Sequence, residues 1–193
     1  MSVRRSRPPM IELGAKDKTP PAMTGSGFTF QMIGVIRSGH TEAARTPIQP
    51  AFAEGCIGRA EILPAFAEGL RDVEGFSHLY LIFVLDRAGP ASLLLRPFMQ
   101  DVERGVFATR APRRPNPIGL SIVRLVRREG NVLHLDGVDM LDGTPLLDIK
   151  PYTATFDRIE TTRNGWQDAV DPGEARRLGR RGYTGPATQA KDS

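Results

Sequence analysis

The ten-residue run from Phe76 to Leu85, FSHLYLIFVL, is the most hydrophobic stretch of the chain, and only Ser77 and His78 are strongly polar before Asp86. Its length, its β-branched and aromatic content and the Glu74-Gly75 punctuation before it predict a central strand buried on both faces. Ser77 and His78 then need partners, either hydrogen bonds in the core or a bound molecule. A chain with such a strand must supply a sheet around it.

The remaining periodicity supplies that sheet. Phe28, Phe30 and Met32 alternate with polar residues and lead into an apolar run to Ile36, which predicts a first strand ending at Arg37-Ser38-Gly39-His40. Residues 41–50 read as a surface loop. Cys56 to Leu63 predicts a second strand, and Pro64 opens a helical segment to about Val73. Gly105 to Thr109, Ile118 to Arg128 and Asn131 to Met140 read as further strands, the last two joined by a turn at Glu129-Gly130. In that hairpin His134 falls on the solvent face. After a tight turn at Asp142-Gly143 and the extended Thr144-Pro145, Leu147 and Ile149 are expected to face the core, with Asp148, Lys150 and Tyr152 on the other face. Asp171-Pro172-Gly173-Glu174 is a helix start with Asp as N-cap, and the helix is expected to reach about Arg181. Strands dominate and do not alternate with helices, which excludes a doubly wound nucleotide-binding sheet. A mainly β protein is expected, a single closed or nearly closed antiparallel β-barrel with a few short helices.

One loop stands apart from this framework. Residues 110–117 hold Arg110, Arg113 and Arg114, three prolines and Asn116, without an acidic side chain. Each proline fixes its own φ and extends the residue before it, so the loop has few accessible shapes. Guanidiniums held on a stiff loop make a receptor for carboxylate or phosphate, and the competing description is a solvated basic turn.

Composition narrows the function classes. The 193 residues carry a formal charge of +4, and residues 28–157 are near neutral, with 14 Lys/Arg against 15 Asp/Glu. The basic excess therefore sits on the Arg/Pro loop and the two ends, a pattern that permits a nucleic-acid partner. Residues 1–27 read as a disordered N-terminal arm, residues 28–157 as the barrel and residues 158–193 as a short C-terminal extension. No apolar run is long enough to span a bilayer, so no membrane partner and a cytoplasmic location are expected. A lone cysteine, Cys56, and three dispersed histidines give no basis for a metal. No Rossmann, P-loop, zinc-protease or nucleophile-elbow pattern is present.

Four motifs then carry a more specific identification. They are Ile33-Gly34-Val35-Ile36-Arg37-Ser38, Gly75-Phe76-Ser77-His78-Leu79, Gly105 to Arg110 with Arg114 to Ser121, and Asp142-Gly143-Thr144-Pro145 continuing to Asp148-Ile149-Lys150-Pro151-Tyr152. In this order they resemble the TsaA/TrmO family. The resemblance implies a homodimeric, S-adenosylmethionine-dependent β-barrel methyltransferase. Its substrate would be tRNA, at the exocyclic nitrogen of threonylcarbamoyladenosine beside the anticodon. It also implies cofactor-binding roles for Ser38, His40, Ser77, His78, Arg110, Arg114, Leu141, Asp142, Gly143 and Thr144. Two departures are visible. Gly39 stands where the family often has proline, and little more than a capped helix follows the barrel where longer members carry a further domain.

Methyl transfer to an amide-like nitrogen needs alignment, exclusion of water and removal of a proton. Asp148 and Tyr152 are the expected catalytic residues near the target nitrogen, while Arg113 is expected to stay free for RNA or solvent. Two other functions are compatible with the same residues: the same cofactor chemistry on a small-molecule acceptor, and a non-catalytic module that binds S-adenosylmethionine or RNA.

Overall fold

The computed structural model describes residues 28–181, and the arm expected over residues 1–27 lies outside them. Among the described residues eight strands form: β1 (Gly34–Ser38), β2 (Ile57–Ile62), β3 (His78–Val84), β4 (Leu94–Leu95), β5 (Arg104–Gly105), β6 (Ile118–Glu129), β7 (Val132–Asp136) and β8 (Pro145–Pro151). Six of them close a barrel in the order β1-β2-β7-β6-β3-β8, while β4 and β5 make a separate two-stranded ribbon. Every barrel pairing is antiparallel. The expected fold class is thus what the chain adopts.

The alternation of each strand builds the core. Leu79, Leu81 and Phe83 of β3, Val123 of β6 and Leu133 and Leu135 of β7 all point inward and are buried. At one end of the barrel the 3₁₀ turns Pro64–Leu70 and Val73–Gly75 close the interior, with Leu70 buried and Phe66 packed on the core. At the other end the exits of β1, β3 and β7 meet the starts of β6 and β8. This second end is the mouth, and the Arg/Pro loop arrives there.

Several expectations are corrected. β1 starts only at Gly34, because Phe28 and Phe30 are exposed, and the pairing along this segment begins at Ile33, whose carbonyl accepts from Leu63 and whose N–H donates to Leu146. β3 is not buried on both faces: Tyr80, Ile82 and Val84 are half-buried, since the barrel leaves one face of each strand outside. The segment Gly105–Thr109 is mostly a 3₁₀ turn, Val106–Ala108, which Thr109 closes by donating through its N–H and Oγ1 to the Val106 carbonyl. The segment after Pro64 is 3₁₀ rather than α-helical. The expected surface loop 41–50 contains a 3₁₀ turn, Ala43–Arg45, and a buried Thr46. The partner of β6 stops at Asp136, where Gly137 turns the chain at φ +86°.

In β8 a register shift beside Ile82/Phe83 flips the parity, so Leu146 rather than Leu147 is fully buried, while Ile149 still packs on the core. Asp148 faces outward, ion-paired to Lys150 at 2.7 Å within the same strand. After the short helix α1 (Ala154–Asp157) the chain reaches α2 (Pro172–Gly179), shorter than expected at its C-terminal end. Its start is as predicted, with Asp171 accepting from the Glu174 N–H at 2.7 Å. Among the described residues no helix is long and apolar enough to cross a membrane, and no group of three or more His, Cys, Asp or Glu side chains is placed to hold a metal ion.

Gly58 shows how tightly the mouth is assembled. It pairs with Ser38, and a Cβ there would lie 2.7 Å from the Arg37 carbonyl and 2.9 Å from Val138. Gly58→Ala is expected to destabilise the barrel by about 1–3 kcal/mol through overpacking, seen as a lowered melting temperature in calorimetry.

Candidate functional site at the barrel mouth

The segment 138–144 ties the mouth together, because nearly every residue in it binds a different element. The Val138 carbonyl is 3.0 Å from His40 Nε2, and the Met140 carbonyl accepts from Ser38 Oγ at 2.7 Å. Asp142 Oδ1 accepts from the Ser38 N–H at 3.1 Å, and the Asp142 N–H donates to the His40 carbonyl at 2.7 Å. Gly143, at φ +81°, donates to the Ile36 carbonyl, and space above it is open. Thr144 Oγ1 donates to the Leu141 carbonyl and accepts from Arg87 Nη2 at 3.1 Å. Of the ten residues expected to hold the cofactor, Ser38, His40 and Leu141 to Thr144 are joined by these hydrogen bonds.

Charge at this rim is organised around two carboxylates. Arg37 lies 3.1 Å from Glu61 and 3.7 Å from Asp142. Hydrogen bonds from Arg37 and Arg59 hold the Glu61 carboxyl below the usual carboxylate range. A shallow groove of about 760 Å³ runs along the rim beside Arg37, Ser38, Gly39, Ile57, Arg59 and Asp142.

The Arg/Pro loop divides its arginines by task. Arg114 Nη1 donates to the carbonyls of Thr109 at 2.8 Å and Val106 at 3.1 Å, so it holds the loop's own backbone. Arg113 is exposed, as expected, and its Nε donates to the Pro90 carbonyl at 2.9 Å. Arg110 donates to Gln49 at 2.7 Å from an exposed position, and its charge acts on Asp139.

Asp139 and Ser121 are the residues that sequence reasoning missed. Ser121 Oγ donates to Asp139 Oδ1 at 2.7 Å inside the mouth. Burial pushes the Asp139 carboxyl up to about 7, against the opposing pull of the Ser121 hydrogen bond, its own amide and the Arg110 charge. A signal existed: Ser121 occupies an inward position between Gly119 and Val123 in β6, where a polar side chain requires a partner. A raised carboxyl costs stability as pH rises from its unfolded value to its folded one, from about 4 to about 7, and the penalty is constant above that. Asp139→Asn is therefore expected to gain on the wild type over that interval, by on the order of a few kcal/mol at most, in urea unfolding against pH.

Ser77, His78 and Tyr152 do not join this group. β3 begins and β8 ends at the far end of the barrel, where His78 Nδ1 lies 3.0 Å from Ser77 Oγ. The Tyr152 ring packs 6.4 Å from the His78 ring and 5.7 Å from that of Tyr80. Burial and the neighbouring Asp157 carboxyl raise the Tyr80 hydroxyl. Between the two ends runs an apolar outer face. Ile118, Leu120 and Ile122 of β6 are 40%, 55% and 39% exposed, and stand in register with Val84, Ile82 and Tyr80 of β3.

The closed antiparallel barrel thus carries arginines and carboxylates at its mouth, groups able to hydrogen-bond a polar organic molecule. Comparison with known proteins makes this specific. A family model described as tRNA-methyltransferase O N-terminal domain matches residues 35–158, and the chain belongs to that family. A probable S-adenosyl-L-methionine-binding protein of Pyrococcus abyssi is 53% identical over 137 residues, covering 71% of this chain and 74% of the relative. The tRNA (adenine(37)-N6)-methyltransferase of Escherichia coli is 39% identical over 137 residues, covering 66% of this chain and 58% of the relative. The crystal structure of TrmO from Pseudomonas aeruginosa superposes with a TM-score of 0.65 at 44% identity, over 76% of this chain and 66% of that one. The chain thus matches part of each relative's length.

Proposed function

We propose that this protein is an S-adenosylmethionine-dependent methyltransferase acting on the exocyclic nitrogen of threonylcarbamoyladenosine in tRNA. Supporting this is the assembly of Ser38, His40 and Leu141 to Thr144 into one hydrogen-bonded mouth beside Arg110, in a chain of this family. The donor set suits the cofactor. Arg110 complements a carboxylate, while Asp142 and the backbone around open Gly143 complement an amine and hydroxyls. When bound, S-adenosylmethionine supplies an electrophilic methyl group. The chain's part is to orient the acceptor and exclude water, for which the stiff Arg/Pro loop forms a wall.

The working unit in this proposal is a homodimer formed through the apolar face of β3 and β6. Leu120 and its neighbours give that face an uncovered hydrophobic centre. A two-fold pairing across it sets the mouth of one barrel against the far end of the other. Ser77, His78 and Tyr152 would then complete the partner's site, with Asp148 at the margin of the contact.

The test uses labelled cofactor with tRNA that carries threonylcarbamoyladenosine, the same tRNA lacking it, and an extract depleted of RNA. Label confined to the modified tRNA is the expected result. Label in a small molecule would move the acceptor, and binding without transfer would make the protein a sensor.

A further inference from the structure

Among the described residues, Asp139 is the mouth carboxyl that has no arginine or lysine bonded to it. Ser121 Oγ and its own amide are the hydrogen-bond donors that reach it among the described residues. Asp142 and Glu61 are engaged by Arg37, and Asp148 by Lys150. Asp139 is also fixed in place from both sides: Val138 before it binds His40 through its carbonyl, and Met140 after it binds Ser38. Its neighbours in sequence are therefore part of the proposed cofactor wall, while its side chain crosses to β6 at the base of the Arg/Pro loop.

We infer that Asp139 is the proton acceptor of the methyl-transfer reaction, receiving the hydrogen of the acceptor nitrogen. This rests on the methyltransferase reading above. The balance is closed: the nitrogen exchanges one proton for one methyl group, the C–S electron pair stays with the departing sulfur, and the proton passes to Asp139 and then to water at the mouth. The geometry assigns this role to Asp139 ahead of Asp148, which faces outward in an ion pair, and of Tyr152, which is stacked at the far end.

The environment sets the group for that task. Charged groups on the surrounding elements are Arg37 and Asp142 at the exit of β1, Arg87 after β3 and Arg110 in the loop. Of these, Arg110 is the one whose charge acts on the carboxyl, drawing it down against a larger effect of burial. A base that titrates near neutrality takes a proton at working pH without holding it too tightly to release.

Three measurements on the full-length protein test this. Carbon-13 NMR of labelled aspartate side chains, assigned by the loss of one resonance in Asp139→Asn, should show a carboxyl titrating near pH 7. Single-turnover transfer to modified tRNA should fall at least ~100-fold in Asp139→Asn, with cofactor affinity by calorimetry held within about threefold. Ser121→Ala removes the hydrogen bond that favours the carboxylate, so the acidic limb of the pH–rate profile should move to higher pH. That variant also carries the test if Asp139→Asn folds poorly. A rate within twofold of wild type in Asp139→Asn, or an unmoved limb in Ser121→Ala, would overturn the assignment. Absence of transfer by the wild type would instead remove the reading on which it rests, and the NMR titration would still report the state of the carboxyl.

Discussion

Leu120→Asp is expected to yield a folded monomer whose methyl transfer is reduced about 100-fold or more. The side chain is 55% exposed on the outer face of β6, so aspartate there meets solvent in the free barrel and should cost little stability. In a dimer built on this face the same aspartate would be buried beside Ile82 and against its two-fold mate without a cation to pair with, which strongly disfavours association. Sedimentation at several concentrations reads the oligomeric state, unfolding reads the barrel, and transfer to modified tRNA reads the site. A folded monomer with full transfer would mean that each barrel carries a complete site.

Arg114→Ala is expected to give a loss of similar size, on the order of 100-fold, by a different route. Its Nη1 donates to two loop carbonyls, and its guanidinium also lies 5.9 Å from the centre of the Phe107 ring. Removing it takes that donor from the Thr109 carbonyl, while Val106 keeps its bonds from Thr109, and so loosens the segment after the turn Val106–Ala108 that carries Arg110. The barrel itself should remain, because none of these groups belongs to its core. Limited proteolysis should find a new cut between residues 105 and 117, and cofactor affinity should fall together with rate. Unchanged proteolysis with lost affinity would instead place Arg114 in direct contact with the cofactor.

The barrel was legible because its strands alternate cleanly: Leu79, Leu81 and Phe83, or Leu133 and Leu135, mark inward faces by period two. Phe28 and Phe30 obey the same period yet remain exposed and unpaired, since alternation reports a strand only where a neighbour accepts its hydrogen bonds. The parity flip at Leu146 was hidden because a bulge leaves no mark in a run of apolar residues. At the site, the Asp142 turn and the Ser38 exit could be paired from motif order. That Ser77 and His78 lie at the opposite end could not, because strand direction in a barrel depends on which strands neighbour which. Asp139 escaped notice since its chemistry comes from burial and from Ser121, which is 18 residues away in sequence.

In the proposed dimer the mouth of one barrel and the far end of its partner form one methyl-transfer site. Its most direct test is complementation: Arg110→Ala, altered at the mouth, is mixed with His78→Ala, altered at the far end, and subunits are allowed to exchange. Each variant alone should be nearly inactive, and random exchange should restore about a quarter of wild-type transfer, because half the dimers then hold one intact site of two. A mixture that exchanges subunits yet stays as inactive as its parents would contradict the shared site.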